Sequence, residues 1–230
     1  MTKILCIETA TEVCSVAISI DGIPVQYRET NDQNSHSERL TVFIVELLKA
    51  SSMAIDDLDA IAVSMGPGSY TGLRIGTSTA KGFCYGLGIP LIAISSLEAI
   101  ANGAKQLAAE NKGIIIPMID ARRMEVYTAT YAHDLSLVEE VKAKIVDEEF
   151  VKSLPNDTPI IFCGNGAEKC KPLLQDLPNA IFADSVSSAR FMADLAFDKF
   201  KREQFEDVAY FEPFYLKDFI SAQSYVKGLR

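Results

Sequence analysis

Chemistry has few places to reside in this chain. Ser78-Thr79-Ala80-Lys81 has the S-x-x-K spacing in which a lysine one helical turn away activates a serine, but the accompanying S-D-N and K-T-G motifs are absent. Coincidence on a Ser/Thr-rich helix is the better reading. A Ser-His-Asp or Cys-His site would have to use His36, at a helix start, or His133, in a polar turn. Gly66, Gly68 and Gly72 form a loop between strand and helix, where backbone N–H groups can hold an anion; the alternative is tight packing of strand on helix. The P-loop pattern Gly-x-x-x-x-Gly-Lys-Ser/Thr occurs nowhere, and Lys81 lies well inside the following helix. Glu8-Thr9-Ala10-Thr11-Glu12 is a hydroxyl-rich turn that either faces a phosphate or closes a solvated hairpin. Asp120, close to Arg122 and Arg123, is a magnesium-facing carboxylate or one half of an ion pair, and Gly164-Asn165-Gly166 is a second glycine turn after a strand.

The elements that must position these residues alternate. Ile4–Ile7, Ser15–Ile20 and Val25–Glu29 read as three antiparallel strands, with Asp21-Gly22 as a hairpin turn. A helix over Ser37–Ser51 follows, begun by a Ser35/Glu38 capping box, with Leu40, Phe43, Ile44, Leu47 and Leu48 on one face and Val42 and Val45 off it. The strand Ala60–Ser64 leads through the glycine loop into a helix over Leu73–Leu87. Its interior glycines each cost about 1 kcal/mol relative to alanine. Gly72, Gly76 and Ala80 share one stripe and Gly82 and Gly86 another, so neighbours are expected to approach this helix closely on two sides. A strand at Ile89–Ile94 and a helix capped by Ser95 or Ser96 complete an α/β pattern, with a boundary at Glu110–Gly113. The second half gives strands at Gly113–Asp120, Glu125–Tyr131, Val141–Val146 and Pro159–Cys163, a short helix capped by Asp147, a short strand at Ala180–Phe182, and a helix over Ser187–Phe200. Phe211–Leu216 is too apolar to be free, and Asp218–Arg230 reads as a tail.

Twenty-two basic against thirty-one acidic residues give a net charge of −9, which argues against independent, broad nucleic-acid binding and leaves room for a local basic patch. The five cysteines are odd in number, scattered and without C-x-x-C spacing, as expected of reduced thiols. No stretch has the length of a membrane span and no signal-peptide pattern opens the chain, so a cytoplasmic location is expected.

Five stretches together resemble the TsaB (YeaZ) family: Ile4–Glu12, His36–Leu40, Met65–Gly76, Ile119–Arg123 with Glu125–Tyr127, and Gly164–Ala167. The resemblance implies a two-lobed actin-like ATPase fold (sugar kinase, Hsp70 and actin), each lobe a mixed sheet with helices. An N-terminal lobe of residues 1–110 would carry a partner-binding helix pair. A smaller C-terminal lobe and tail would span 111–230, with its last segment free to pack back on the first lobe. It implies a non-catalytic scaffold and activator in the complex that installs threonylcarbamoyl on the adenosine next to the tRNA anticodon. Such a chain would bind TsaD as a heterodimer, work with TsaE, form a homodimer in isolation, and meet tRNA only through the complex. The partner face would draw on Leu40, Ile44, Leu48, Gly72, Gly76, Ala80, Phe83 and Leu87, some as core support and some as contacts. A vestigial nucleotide site would draw on Glu8, Thr9, Gly66, Gly68, Asp120, Gly164 and Gly166. No catalytic residue, metal or cofactor is expected of the chain alone, ATP or ADP binding being left to the complex. Where TsaD-type relatives carry a His-x-x-x-His metal pair, this chain has Ser96 and Ile100, and Glu8 stands where the superfamily places an aspartate. The alternative is an active actin-like ATPase or phosphotransferase using Glu8, Thr9, Asp120 and Gly164–Gly166.

Overall fold

The computed structural model describes residues 1–32 and 36–217. Its elements, in order, are β1 Lys3–Glu8, β2 Cys14–Ile20, β3 Ile23–Thr30, α1 His36–Ala50, β4 Ala60–Gly66, α2 Tyr70–Leu87, β5 Leu91–Ser95 and α3 Ser96–Asn111. They are followed by β6 Ile114–Asp120, β7 Glu125–Tyr131, β8 Leu137–Ile145, α4 Glu148–Ser153, β9 Ile160–Cys163, α5 Asn165–Leu174, β10 Ala180–Phe182 and α6 Ala193–Lys201. The first sheet has the order β3-β2-β1-β4-β5 and the second, read from its own third strand, β8-β7-β6-β9-β10. One strand order is used twice. In each sheet an antiparallel meander is followed by parallel addition on the other side. The hairpin turns at β1–β2 and β6–β7 are therefore equivalent, as are the glycine turns before α2 and α5.

Helices cover both sheets, and they do so out of sequence. Leu40, Ile44, Leu47 and Leu48 of α1, with Ala80 and Cys84 of α2, pack against Leu5, Ile7, Val16, Ile61 and Val63 on one side of the first sheet. Its other side, formed by Ile4, Cys6, Ala62 and Ile92, is closed by Met192, Ala193 and Ala196 from near the end of the chain. The second sheet receives Leu97, Ile100, Ala104 and Ala108 of α3 against Ile115, Ile119 and Ile161, and Ala167, Cys170 and Leu174 of α5 on its far side. Burying such side chains supplies roughly 1.5–3 kcal/mol each for the larger ones.

Three expectations shift. Ser187–Phe200 is not one helix: the chain runs extended to Ser188, makes a 3-10 turn over Ala189–Met192, and only then enters α6. The reason is side-chain competition with the helix. Ser185 Oγ donates to the Ile100 carbonyl at 2.9 Å, Ser188 Oγ donates to Glu29 at 2.6 Å, and Ala189 N–H donates to Ser15 Oγ at 3.0 Å. The strand expected at Val141–Val146 begins earlier, at Leu137, and the one expected at Ile89 begins at Leu91, with Ser95 as the helix cap. Ser35, half of the expected capping box, and the tail Asp218–Arg230 lie outside the described residues.

Past α6 the chain returns to the first lobe. Glu206 N–H donates to Leu91 O at 2.9 Å and Phe214 N–H to Met65 O at 2.7 Å. Lys81 Nζ donates to the carbonyls of Ala209 and Phe211. The lysine of the S-x-x-K pattern thus holds backbone, and Ser78 is exposed on the outer side of α2. Among the described residues no helix is long and apolar enough to cross a membrane.

Candidate functional site

An open cleft of about 1340 Å³ lies between the lobes, with the β1–β2 turn and the start of α2 on one wall and the β6–β7 turn and the start of α5 on the other. The hydroxyl-rich turn is not a solvated hairpin. Glu8, Thr9 and Ala10 are fully buried. Thr9 lies directly on α2, so that a Cβ at Gly72 would overlap the Thr9 carbonyl and one at Gly76 the Thr9 hydroxyl; a Cβ at Gly68 would meet the Ala10 carbonyl. Ser69 N–H donates to that Ala10 carbonyl at 2.6 Å, and Ser69 Oγ caps α2 by accepting from Gly72 N–H. Two of the N–H donors at this helix start, those of Ser69 and Gly72, are therefore engaged within the chain and turned away from a phosphate. Gly72→Ala should destabilise the fold by about 3 kcal/mol, because a backbone carbonyl cannot swing aside; a fall in the urea midpoint at unchanged slope would register it.

Among the described residues no cation pairs with Glu8. Its Oε1 accepts from Ala10 N–H at 2.6 Å, while Oε2 has no hydrogen-bond partner among the described residues. Burial pushes its pKa up to about 7. The Ala10 bond and the nearby Ser64 and Ser187 hydroxyls pull it back only in part, and neither hydroxyl forms a well-aligned bond with Oε2. A carboxyl so enclosed does not fit the role of a magnesium ligand, and among the described residues no three His, Cys, Asp or Glu side chains converge as a metal would demand. Ser96 and Ile100 are both fully buried, Ile100 within the core beneath the second sheet. All five cysteines are free and buried, and burial pushes Cys6 up to about 12.

On the opposite wall Asp120 is half of an ion pair with Lys169 and also accepts from Arg122 N–H at 2.7 Å. Gly164 and Gly166 let α5 seat on β6, since a Cβ at either would overlap backbone of Met118 or Ile119. Asn165 joins the walls: its Nδ2 donates to Glu12 Oε2 at 2.6 Å, and its Oδ1 accepts from Asp120 N–H at 3.0 Å. The sequence placed Glu12 and Asn165 in their two turns but did not show that they meet, although the equivalent places of the two turns point to it. Arg122 and Arg123 occupy the turn with φ of 72° and 51°, left-handed backbone that glycine or asparagine adopts more readily. Each left-handed arginine costs roughly 1–2 kcal/mol.

The helix pair has two distinct faces. Leu40, Ile44, Leu48, Gly72, Gly76 and Ala80 are buried within this chain, and Phe83 and Leu87 are half-buried. Leu40, Ile44, Leu48 and Ala80 belong to the core beneath the pair, and Phe83 packs against it. Exposed on the pair are Val42 (43%) and Val45 (50%) of α1 and Tyr85 (86%) of α2, and among the described residues nothing lies within 4 Å of a Cβ at Gly82 or Gly86 of α2. Sequence could not assign the two sides because both carry small residues at four-residue spacing.

Comparison with known proteins agrees with this geometry. The TsaD family, described as tRNA N6-adenosine threonylcarbamoyltransferase, matches residues 30–226. The Bacillus subtilis tRNA threonylcarbamoyladenosine biosynthesis protein TsaB is 33% identical over 177 residues, 76% of either chain. The structure of YeaZ from Pseudomonas aeruginosa superposes with a TM-score of 0.80 at 25% identity, covering 94% of this chain and all of that one. The activator of 2-hydroxyisocaproyl-CoA dehydratase from Clostridium difficile, at 11% identity and a TM-score of 0.53 over 88% of this chain and 97% of that one, shares the fold alone. Two sheets of one strand order, meeting at a cleft between paired glycine turns, form the two-lobed actin-like ATPase fold, and the chain belongs to the TsaB (YeaZ) family of tRNA threonylcarbamoyladenosine biosynthesis proteins.

Proposed function

We propose that this chain serves tRNA threonylcarbamoyladenosine biosynthesis as a non-catalytic, activating subunit that docks the outer face of α1 and α2 on a TsaD-type partner in the cytoplasm. The observation that carries the reading is the pair Gly82 and Gly86. Each weakens α2 by about 1 kcal/mol relative to alanine, and among the described residues nothing comes near enough to need them. Glycines on an outward helix face let a second helix approach closely, Tyr85 next to Gly86 supplies an aromatic anchor, and Val42 and Val45 are exposed apolar residues of the paired helix α1. Where TsaD-type relatives carry metal-binding histidines the chain has buried Ser96 and Ile100, and two of the donors at the start of α2 are engaged within the chain, which supports a reading in which the chemistry belongs to the partner and this chain alone requires no cofactor. The same face serves a homodimer when the partner is absent, and TsaE joins at the level of the complex, where ATP or ADP is bound.

The deciding experiment measures threonylcarbamoyl-adenosine on tRNA with cognate TsaD, TsaE and threonylcarbamoyl-AMP, with and without this chain, alongside magnesium-dependent ATP hydrolysis by the chain alone. Modification that depends on a chain with no turnover of its own is the expected result. Full modification without it, or ATP hydrolysis abolished by Glu8→Ala, would overturn the reading.

A further inference from the structure

The cleft contains an arrangement that the helix docking does not use. Arg122 and Arg123 are exposed and line it, held by a turn that is locally well bonded: Asp120 Oδ1 accepts from Arg122 N–H, and Glu125 N–H donates to Arg122 O at 3.1 Å. Two consecutive left-handed positions, which glycine or asparagine adopts more readily, are thus filled by two arginines, whose side chains have no ion pair or hydrogen bond among the described residues. Every nearby acid, by contrast, is occupied. Asp120 pairs with Lys169, Glu125 with Lys217, and Glu12 accepts from Asn165. After these pairs are set aside, the two guanidinium groups stand against the single charge of Glu12, inside a molecule whose total charge is −9.

Aromatic rings line the same cleft. Tyr70 and Tyr215 lie with their centroids 4.8 Å apart, tilted by 41°, and the Arg74 guanidinium lies 4.2 Å from the Tyr70 centroid. Adjacent unpaired arginines match phosphodiester oxygens through forked hydrogen bonds, and tyrosines with a stacked arginine accept an unpaired base on their faces. The cleft, at about 1340 Å³, is larger than a pocket sized for one small ligand. We propose that it is a contact surface for the RNA strand of the tRNA substrate, with Arg122 and Arg123 on consecutive phosphates and the Tyr70–Tyr215 pair under a base. The inference rests on the function proposed above and adds to it a direct RNA contact made by this chain within the complex.

The test uses the assembled complex with TsaD and measures tRNA binding by fluorescence anisotropy over a salt series. R122N/R123G places at both left-handed positions residues that tolerate positive φ better than arginine, so the variant should be at least as stable as the parent and should bind TsaD unchanged in the same samples. Its tRNA affinity should fall about tenfold or more, with the slope of log K against log salt reduced by roughly 1.5, the value for two lost phosphate contacts. Y215A should weaken binding several-fold without changing the slope. Unchanged tRNA affinity and slope in R122N/R123G, with TsaD binding intact, would overturn this inference alone. Loss of ATP binding by the free variant with tRNA binding retained would overturn it in favour of a mononucleotide ligand. Failure of the parent chain to bind TsaD would instead overturn the function on which it rests.

Discussion

Replacing both Gly82 and Gly86 by alanine should make the isolated chain more stable and its complex weaker. Within the monomer each new methyl enters open space, so only helix propensity changes, by about 1 kcal/mol per site. For a chain of this size the thermal midpoint should rise by roughly 4–8 °C. At a close helix–helix contact the same methyls hold the partner away, and affinity for the TsaD-type partner should drop at least tenfold, about 1.4 kcal/mol. Calorimetry on the free chain and titration against the partner separate the two effects. Tyr85→Ala provides a second route to the same face: at 86% exposure its loss should leave stability within about 0.5 kcal/mol while weakening docking by about 2 kcal/mol, as for a buried aromatic anchor. A stabilised double-alanine chain that still binds fully would sink the docking face.

Glu8→Gln should change how stability responds to pH. The folded carboxyl has a pKa of about 7 against an ordinary value of 4.5, so the folded state binds more protons than the unfolded one between these limits. Stability contributed by the protonated carboxyl is fully present below pH 4.5 and is lost as pH rises through 7, with a total loss of about 3 kcal/mol. Glutamine stays neutral, can keep the Ala10 bond through its carbonyl, and presents an amide to Ser187. Urea midpoints at pH 5 and pH 8 should therefore diverge between the two proteins, with the variant gaining on the parent as pH rises. A constant difference across that range would show that the carboxyl does not titrate within it.

Gly72 and Glu8 also illustrate what the sequence made legible. The repeat of small residues on α2 announced a close approach, and the spacing of Leu40, Ile44, Leu47 and Leu48 identified the buried side of α1. The approaching group, the Thr9 backbone, lies 63 residues before Gly72, and no local pattern encodes that pairing. Burial of the Glu8 turn was likewise unreadable, because its composition is that of a solvent loop. Ser185 and Ser188 depart from helix for partners 85 and 159 residues away. The left-handed turn at Arg122 and Arg123 has neither glycine nor asparagine to mark it. Periodicity reports which face of an element is apolar; it carries no record of which distant backbone will cover a small or polar residue.

The crossed covering of the sheets bears on how the chain comes apart. Helix α3 precedes the second sheet yet forms its floor, while Met192, Ala193 and Ala196 follow that sheet yet roof the first. A cut at the connection near Lys112 would leave each fragment with a naked sheet face whose lid belongs to the other. The lobes should consequently melt as one interlocked unit, in a single calorimetric transition, and neither half should fold intact when transplanted alone.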